Sequence, residues 1–258
     1  MMDGIFDSHT HYDDEAFDAD RGEILAGLPA LGVSGIVNCG CSLESSRKSL
    51  EIAEQYEFAY AACGVHPHEA AGRCETTGSA ELSALLSHKK CVALGEIGLD
   101  YHYDFSPRDA QRKAFEQQLA LAAELGLPVI VHDREAHEDT MRLLKKYKPR
   151  GVLHCYSGSV ETMREAIGIG LYIGLGGAVT FKNAKKPLEA ARAVPAERLL
   201  IETDCPYMAP VPYRGKRCTS DMIALTARAI AGARGIDARE VLDITRKNAE
   251  DLFGIRRI

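Results

Sequence analysis

Short apolar runs alternate along the chain with longer amphipathic stretches, a pattern typical of strand–helix units around a parallel sheet. Eight of the apolar runs are predicted to form strands, at Ile5–Ser8, Gly35–Asn38, Phe58–Gly64, Cys91–Glu96, Pro128–His132, Gly151–His154, Leu171–Gly174 and Leu199–Glu202. The stretches between them are predicted to form helices near residues 20–31, 43–56, 79–88, 108–125, 135–147, 160–168, 184–193 and 220–234. A further helix is predicted from about residue 238 to 252.

Eight strand–helix units in 258 residues match the size of a (β/α)8 TIM barrel, here with an additional C-terminal helix. We expect one domain over residues 1–258, since no linker or low-complexity tract divides the chain. A doubly wound open sheet is the alternative fold, but it usually has fewer strands and a glycine-rich phosphate loop after the first. The sequence contains neither GxGxxG nor GxxxxGKS/T, so the barrel is favoured.

Composition narrows the class of protein further. The chain is 46% hydrophobic and 26% charged, as globular domains are, and no apolar run approaches the roughly 18 residues of a membrane span. The start, Met1-Met2-Asp3-Gly4, lacks the basic patch of a signal peptide, so we expect a cytoplasmic protein whose 8 irregularly spaced cysteines are reduced. A net charge of −6 opposes attraction of nucleic acid to the whole surface but permits a local basic groove.

Residues that commonly bind metals follow the first predicted strand, in the segment Asp7-Ser8-His9-Thr10-His11. Residues i and i+2 of an extended chain point to the same side, so His9 and His11 can bring two imidazole nitrogens to one ion. Taken alone, the two histidines could equally belong to a surface loop.

Four more such residues lie at the ends of other predicted strands. Glu96 follows Val92-Ala93-Leu94, His132 and His154 end the fifth and sixth strands, and Asp204 follows the eighth. Each histidine alone could be a hydrogen-bonded core residue. In a barrel, however, the carboxyl ends of all strands meet on the face that holds the active site. Buried carboxylates and neutral imidazoles gathered there favour two divalent cations, with Glu96 suited to bridge them.

Several segments resemble, in order, motifs of the TatD-type deoxyribonucleases within the amidohydrolase superfamily. The similarity covers nearly the whole chain and rests on several independent motifs. They are Phe6 to His11, Gly64-Val65-His66-Pro67-His68, Gly95 to Tyr101, Val131-His132, His154-Cys155-Tyr156-Ser157-Gly158, Gly174 to Lys185, Glu202 to Tyr207 and Asn248 to Gly254.

The resemblance implies a metal-dependent hydrolase with two metal positions. It places His9, His11, Glu96 and Asp204 around one metal, and Glu96, His132 and His154 around the other. Members of the family are described as magnesium-dependent nucleases that trim DNA. Imidazole ligands, in contrast, favour zinc, manganese or a similar transition ion. We therefore expect activity with magnesium or manganese, and co-purification with zinc or another transition metal.

Three residues are candidates for catalytic roles. Asp204 is expected both to hold a metal and to accept the proton of the attacking water, and Glu96 to bridge the metals. His66 lies just past the third predicted strand, within reach of the substrate or of a ligand residue. The alternative is that His66 and His68 only order this loop through Pro67.

A phosphodiester substrate also needs cations for its nonbridging oxygens. Arg134, two residues after His132, and the segment Arg214-Gly215-Lys216-Arg217 are the candidates, because arginine makes forked contacts to phosphate. Tyr156, Tyr207 and Tyr213 are candidates for stacking bases. The alternative for the basic segment is a solvated loop.

The chain departs from the family pattern after this basic segment. The family usually continues with an asparagine and then a glutamate–proline pair, whereas this chain has Cys218-Thr219-Ser220. The departure concerns the shape of the last active-site loop, and hence substrate preference, rather than the metal ligands.

Three functions are compatible with these observations. The leading hypothesis is a deoxyribonuclease that cleaves phosphodiester bonds from a 3′ end through metal-activated water. It binds DNA transiently and needs no obligate protein partner or membrane. The first alternative is an amidohydrolase-type enzyme acting on a small ester or amide, such as an aminoacyl ester. The second is a metal-binding or scaffold protein without catalytic activity.

Overall fold

A computed structural model describes residues 2–71 and 80–255, and eight parallel strands form its single sheet. The strands pair in sequence order, and an isolated parallel bridge between Thr10 and Cys205 brings the first and last together into a nearly closed barrel. The strands are β1 (Ile5–Thr10), β2 (Val33–Cys39), β3 (Ala59–Cys63), β4 (Cys91–Asp100), β5 (Val129–Arg134), β6 (Gly151–Leu153), β7 (Leu171–Leu175) and β8 (Leu199–Ile201).

Helices surround the sheet and connect its strands. In the described residues they are α1 (Arg21–Gly27), α2 (Leu43–Gln55), α3 (Ala80–Leu86), α4 (Arg108–Leu125), α5 (His137–Tyr147), α6 (Val160–Gly168), α7 (Lys185–Ala193), α8 (Ile223–Arg234) and α9 (Ala238–Phe253). The predicted barrel with its additional C-terminal helix is confirmed. The predicted start of the helix near 79–88 lies at residue 79, outside the described residues.

Local residue chemistry accounts for where several helices begin and end. The Ser159 hydroxyl accepts the Thr162 N–H at 3.2 Å and begins α6, while Gly126, at φ +67°, ends α4. The helix predicted near 20–31 is wrong in its second half. There the chain forms a 3-10 turn over Leu28–Leu31, because Pro29 cannot donate the hydrogen bond that would continue α1.

Two strands that carry candidate ligands contain irregularities in their pairing. Asp7 and Thr10 of β1 pair with Ile36 and Asn38, so three steps of β1 lie opposite two of β2. The same offset occurs in β4 around Gly95 and Glu96, opposite β5. An extra residue in a strand redirects the side chains that follow it. β4 also runs four residues beyond its predicted end at Glu96, to Asp100.

The core has two layers, as the alternation of side chains along a strand requires. Ile5, for example, packs in the larger cluster between the sheet and the helices. Its neighbour Phe6 belongs to the smaller cluster, which draws residues from most strands. Phe253 and Ile255, at and beyond the end of α9, pack against this smaller cluster. Apolar side chains therefore fill the barrel, and polar groups lie at the carboxyl ends of its strands. Within the described ranges, no helix has both the length and the apolar composition needed to cross a bilayer.

Candidate metal centre

One oxygen of Glu96 faces the residues contributed by β1 and by the segment after β8. Its Oε2 lies 3.3 Å from His9 Nε2 and 3.4 Å from His11 Nε2. Those two nitrogens are 3.0 Å apart, and Asp204 Oδ1 lies 3.6 and 3.4 Å from them. The i and i+2 histidines therefore point to one place, as their spacing predicts.

The other oxygen of Glu96 faces a second group of imidazoles. Its Oε1 lies 2.9 Å from His132 Nδ1 and 2.8 Å from His154 Nε2, and those two nitrogens are 3.2 Å apart. The six residues predicted as ligands thus form two adjoining groups that share Glu96.

These spacings fit metal coordination. A tetrahedral centre with bonds of about 2.1 Å places its ligand atoms about 3.4 Å apart, close to the separations in both groups. Glu96 is 3% exposed. Burial alone would raise the pKa of its carboxyl, but the surrounding imidazoles of His154, His66 and His9 hold that pKa well below its usual range. A buried carboxylate surrounded by imidazoles is a donor set suited to divalent transition metals.

Hydrogen bonds on the far side of two imidazoles select the nitrogen that is free to bind a metal. His11 Nδ1 donates to the Cys39 carbonyl at 2.8 Å, which leaves the lone pair on Nε2. His132 Nε2 lies 3.1 Å from Asp100 Oδ2, so Nε2 carries the proton and Nδ1 faces Glu96. No role for Asp100 is predicted from the sequence. Its position four residues after Glu96 on the same strand is the signal that could have identified it.

Glu202 lies beside the imidazole of His154 without a hydrogen bond to it. It is fully buried, its Oε1 accepts the N–H of Cys155, and the same oxygen lies 3.8 Å from His154 Nδ1. Burial raises the pKa of Glu202 to about 8. A Cβ at Gly174 would lie 2.5 Å from Glu202 Oε2, so this carboxyl fits only because Gly174 has no side chain.

The imidazole of His66 is neutral and lies beside Glu96. Burial lowers the pKa of His66 to about 4, and its Nδ1 accepts the N–H of His68 at 3.2 Å. The neutral ring therefore carries its proton on Nε2, which lies 3.4 Å from Glu96 Oε1. His66 also begins the short 3-10 turn Pro67–Glu69, so both sequence interpretations of this residue are compatible with its position.

The cluster opens into a cavity of about 620 Å³. Residues from several strand ends and their loops form its walls: His11, Asp13, Asp14, Cys41, His66, His68, Glu69, Glu96, Asp100, Tyr103, His132, Arg134, His154, Asp204, Tyr207 and Met208. The Sγ atom of Cys41 lies 3.9 Å from both His11 Nδ1 and Glu96 Oε2. The described cysteines are free thiols.

The four candidate substrate-binding residues occupy different places. Arg134 lines the cavity. Tyr156 is 6% exposed, donates to the Ser159 carbonyl at 2.6 Å, and lines an adjoining cavity of about 280 Å³. Arg214 and Lys216 are exposed, over the rings of Phe181 and Tyr213, and line neither of these two cavities. The structure thus brings Arg134 and Tyr156 to the centre, and leaves Arg214 and Lys216 on an outer loop.

The segment that departs from the family pattern packs beneath this loop. Cys218 is buried and its N–H donates to the Pro206 carbonyl at 2.9 Å. The Ser220 N–H donates to the Tyr12 hydroxyl at 3.0 Å. These contacts tie the segment to the residues that follow β1 and to those that follow β8.

Comparisons with known proteins find one family and one fold that match nearly the whole chain. The family model described as TatD related DNase matches residues 6–254. The chain is 42% identical to the uncharacterized metal-dependent hydrolase YabD of Bacillus subtilis, over 97% of this chain and 99% of that protein. It is 38% identical to the 3'-5' ssDNA/RNA exonuclease TatD of Cronobacter sakazakii, over 96% of this chain and 97% of that protein. It superposes on the crystal structure of the TatD homologue YjjV of Escherichia coli with a TM-score of 0.87 at 28% identity, covering 99% and 100%.

Proposed function

The chain belongs to the TatD-related DNase family, and we propose that it is a two-metal phosphodiesterase that removes nucleotides from the 3′ end of single-stranded DNA. Relatives named 3'-5' ssDNA/RNA exonuclease and metal-dependent hydrolase support the reaction class. The proposal extends to the number of metals, the substrate and the roles of individual residues.

The observation that carries the proposal is the position of Glu96. Its two oxygens face two adjoining groups of nitrogen and oxygen donors, which is the arrangement of a carboxylate that bridges two ions. Two divalent cations bound there would lower the pKa of a water molecule and offset charge on the phosphodiester oxygens.

Asp204 is suited to accept a proton during the attack. Burial would raise the pKa of its carboxyl, but hydrogen bonding to His11 and the nearby imidazoles of His9 and His154 lower it. The carboxylate is therefore ionised at neutral pH and acts as a weak base. His66, neutral and protonated on Nε2, lines the same cavity, and we propose that it donates a hydrogen bond to an oxygen of the substrate.

The metals are proposed from the donor set. Four imidazoles favour zinc or manganese over magnesium, while the carboxylates of Glu96 and Asp204 also suit magnesium. We expect zinc or another transition metal in protein purified without chelator, and activity when magnesium or manganese is supplied.

Metal analysis combined with oligonucleotide digestion tests the proposal. We expect about two equivalents of metal per chain. On single-stranded DNA labelled at either end, nucleotides should be released from the 3′ end, EDTA should stop cleavage, and added divalent ions should restore it. Glu96→Gln should lose metal and activity, whereas Glu135→Gln, which removes an exposed carboxylate after β5, should retain both. Absence of cleavage with every metal tried, or cleavage unaffected by EDTA, would refute the proposal.

A double substitution distinguishes DNA from a small ester as the substrate. Arg214→Ala with Lys216→Ala removes two cations outside the central cavity, so cleavage of DNA should fall while hydrolysis of a small neutral ester should not. Arg239→Ala with Lys247→Ala removes two exposed cations from α9 and serves as the control. Normal digestion of DNA by the variant with Arg214→Ala and Lys216→Ala would contradict a role of this loop in binding DNA.

A further inference from the structure

Two exposed aromatic rings stand on the rim between β4 and α4. Tyr103 is 47% exposed and Phe105 is 67% exposed, yet the rings stack on each other with centroids 5.2 Å apart and planes 16° apart. Large aromatic side chains exposed together in a folded protein commonly mark a binding surface. The tyrosines predicted from the sequence to stack bases, Tyr156, Tyr207 and Tyr213, lie on other loops.

The loop that carries the pair is held in place at both ends. Asp100 Oδ1 accepts the N–H groups of His102 at 3.0 Å and Tyr103 at 2.9 Å. At the other end, the Ser106 hydroxyl donates to the His68 carbonyl at 2.9 Å, and the Gln111 amide donates to the carbonyls of Asp100 and Ser106. The two rings are therefore presented on an ordered support, which limits the entropy lost on binding.

The pair adjoins the proposed catalytic cavity. Tyr103 lines that cavity, and the Arg134 guanidinium lies over its ring at 4.7 Å from the centroid. The His68 and Phe105 rings pack in a T-shaped arrangement, with centroids 4.8 Å apart. His68 and His132 both contact Asp100 Oδ2, so one carboxylate links the aromatic pair to the candidate metal ligands.

We propose that Tyr103 and Phe105 form a stacking platform for an unpaired base of the DNA substrate, next to the nucleotide being cleaved. Arg134, held over Tyr103, is then placed to contact the adjoining phosphate. Stacking on aromatic side chains accepts every base but requires an unstacked one, so the platform selects single strands without selecting sequence. This inference rests on the proposed function and specifies that Phe105 contacts a base of the DNA substrate.

Tryptophan fluorescence tests stacking without catalysis. The chain has no tryptophan, so Phe105→Trp introduces a single emitter. In EDTA, a short oligothymidylate should bind and quench this emission, and an oligomer of the same length made of abasic nucleotides should leave it unchanged. Leu125→Trp, at the end of α4 and 43% exposed, is the control and should not respond to either oligomer. Binding without quenching, equal quenching by the abasic oligomer, or no binding would overturn the platform.

Kinetics supply the second measurement. Phe105→Ala should raise KM for single-stranded DNA about tenfold, since loss of one stacked base has about this effect on affinity. It should change kcat by less than about twofold, because the ring does not touch the reacting atoms. Phe105→Tyr should behave as the unsubstituted protein, and the alanine effect should disappear on DNA with abasic nucleotides near the 3′ end.

The two measurements separate this inference from the proposed function. If the unsubstituted protein cleaves DNA but Phe105→Ala leaves KM unchanged, the platform is wrong and the nuclease stands. If Phe105→Tyr raises KM as much as Phe105→Ala does, the ring has only a structural role. The same conclusion follows if Phe105→Ala also raises KM about tenfold on the abasic substrate. If the unsubstituted protein cleaves no DNA, the proposed function itself fails.

Discussion

Asp100→Asn is expected to weaken one of the two proposed metal positions by replacing one oxygen atom with an NH2 group. In the structure, Asp100 Oδ2 accepts from His132 Nε2 at 3.1 Å and from His68 Nε2 at 2.9 Å. Its Oδ1 accepts the N–H groups of His102 and Tyr103. All four partners are donors, so an amide NH2 in place of either oxygen opposes at least one N–H.

The loss of metal affinity depends on how the imidazole of His132 responds to the new amide. To accept from the new amide, its ring moves the proton to Nδ1, the atom that lies 2.9 Å from Glu96 Oε1 and 3.2 Å from His154 Nε2. A protonated Nδ1 cannot bind a metal, which leaves Glu96 and His154 in that group. Loss of a carboxylate that orients a histidine ligand typically weakens metal binding 10- to 100-fold, or about 1.4–2.7 kcal/mol.

Calorimetric titration with manganese measures this effect directly. The unsubstituted protein should bind two ions, and Asp100→Asn should bind one with unchanged affinity and the other at least about tenfold more weakly. The group formed by His9, His11 and Asp204 has no contact with Asp100 among the described hydrogen bonds and ion pairs, so it should keep its ion. Asp104→Asn, which alters an exposed carboxylate paired with Arg108, is the matched control.

If the Asp100→Asn variant bound both ions with the affinities of the unsubstituted protein, the reasoning would be refuted. Equal weakening of both ions would also refute it, since that would show a general loss of structure rather than a change at His132. Thermal unfolding of each variant in EDTA measures the stability of the metal-free protein and separates these cases.

Three further predictions concern stability and metal removal. Gly174→Ala should destabilise the fold by about 1–3 kcal/mol in urea unfolding, because its Cβ would meet Glu202 Oε2 at 2.5 Å; Gly232→Ala, with open space at its Cβ, should not. Phe115→Ala should lower the free energy of unfolding by about 3–5 kcal/mol because the ring is fully buried. Phe105→Ala, at an exposed ring, should lower it by less than about 0.5 kcal/mol, and similar losses in the two variants would contradict the burial argument. Manganese at a hundred times its dissociation constant should stabilise the protein by about 2.7 kcal/mol for each ion bound, or about 5.4 kcal/mol for two ions, and EDTA should reverse the rise in melting temperature; no shift would argue against metal binding to the native state.

Much of the fold could be predicted because strand and helix periodicity is a local property of the chain. Apolar runs such as Val129–Val131 become buried strands, and the polar residue that follows each run must lie at the carboxyl end of its strand. In a barrel all those ends meet, so the gathering of His9, Glu96 and His154 followed from the order of elements alone.

The rest depended on contacts between residues distant in the sequence. The pairing irregularity at Glu96, the extension of β4 to Asp100, and the burial of Tyr156 arise from neighbouring strands and loops, which leave no periodic signal. Residue type and chain position made Arg214 a candidate for contacting phosphate, but only the path of its loop shows that its guanidinium lies over Phe181.

The ligand types and their strand-end positions were therefore already determined by the amino-acid sequence, since burial pattern and chain order specify which side chains share one rim. Which oxygen of Glu96 faces which imidazole, which nitrogen of His132 is free, and how Tyr103 and Phe105 are presented became known only from the folded chain. The physical reason is range: periodicity acts over a few neighbouring residues, whereas hydrogen-bond partners and ring contacts are selected by packing across the whole barrel.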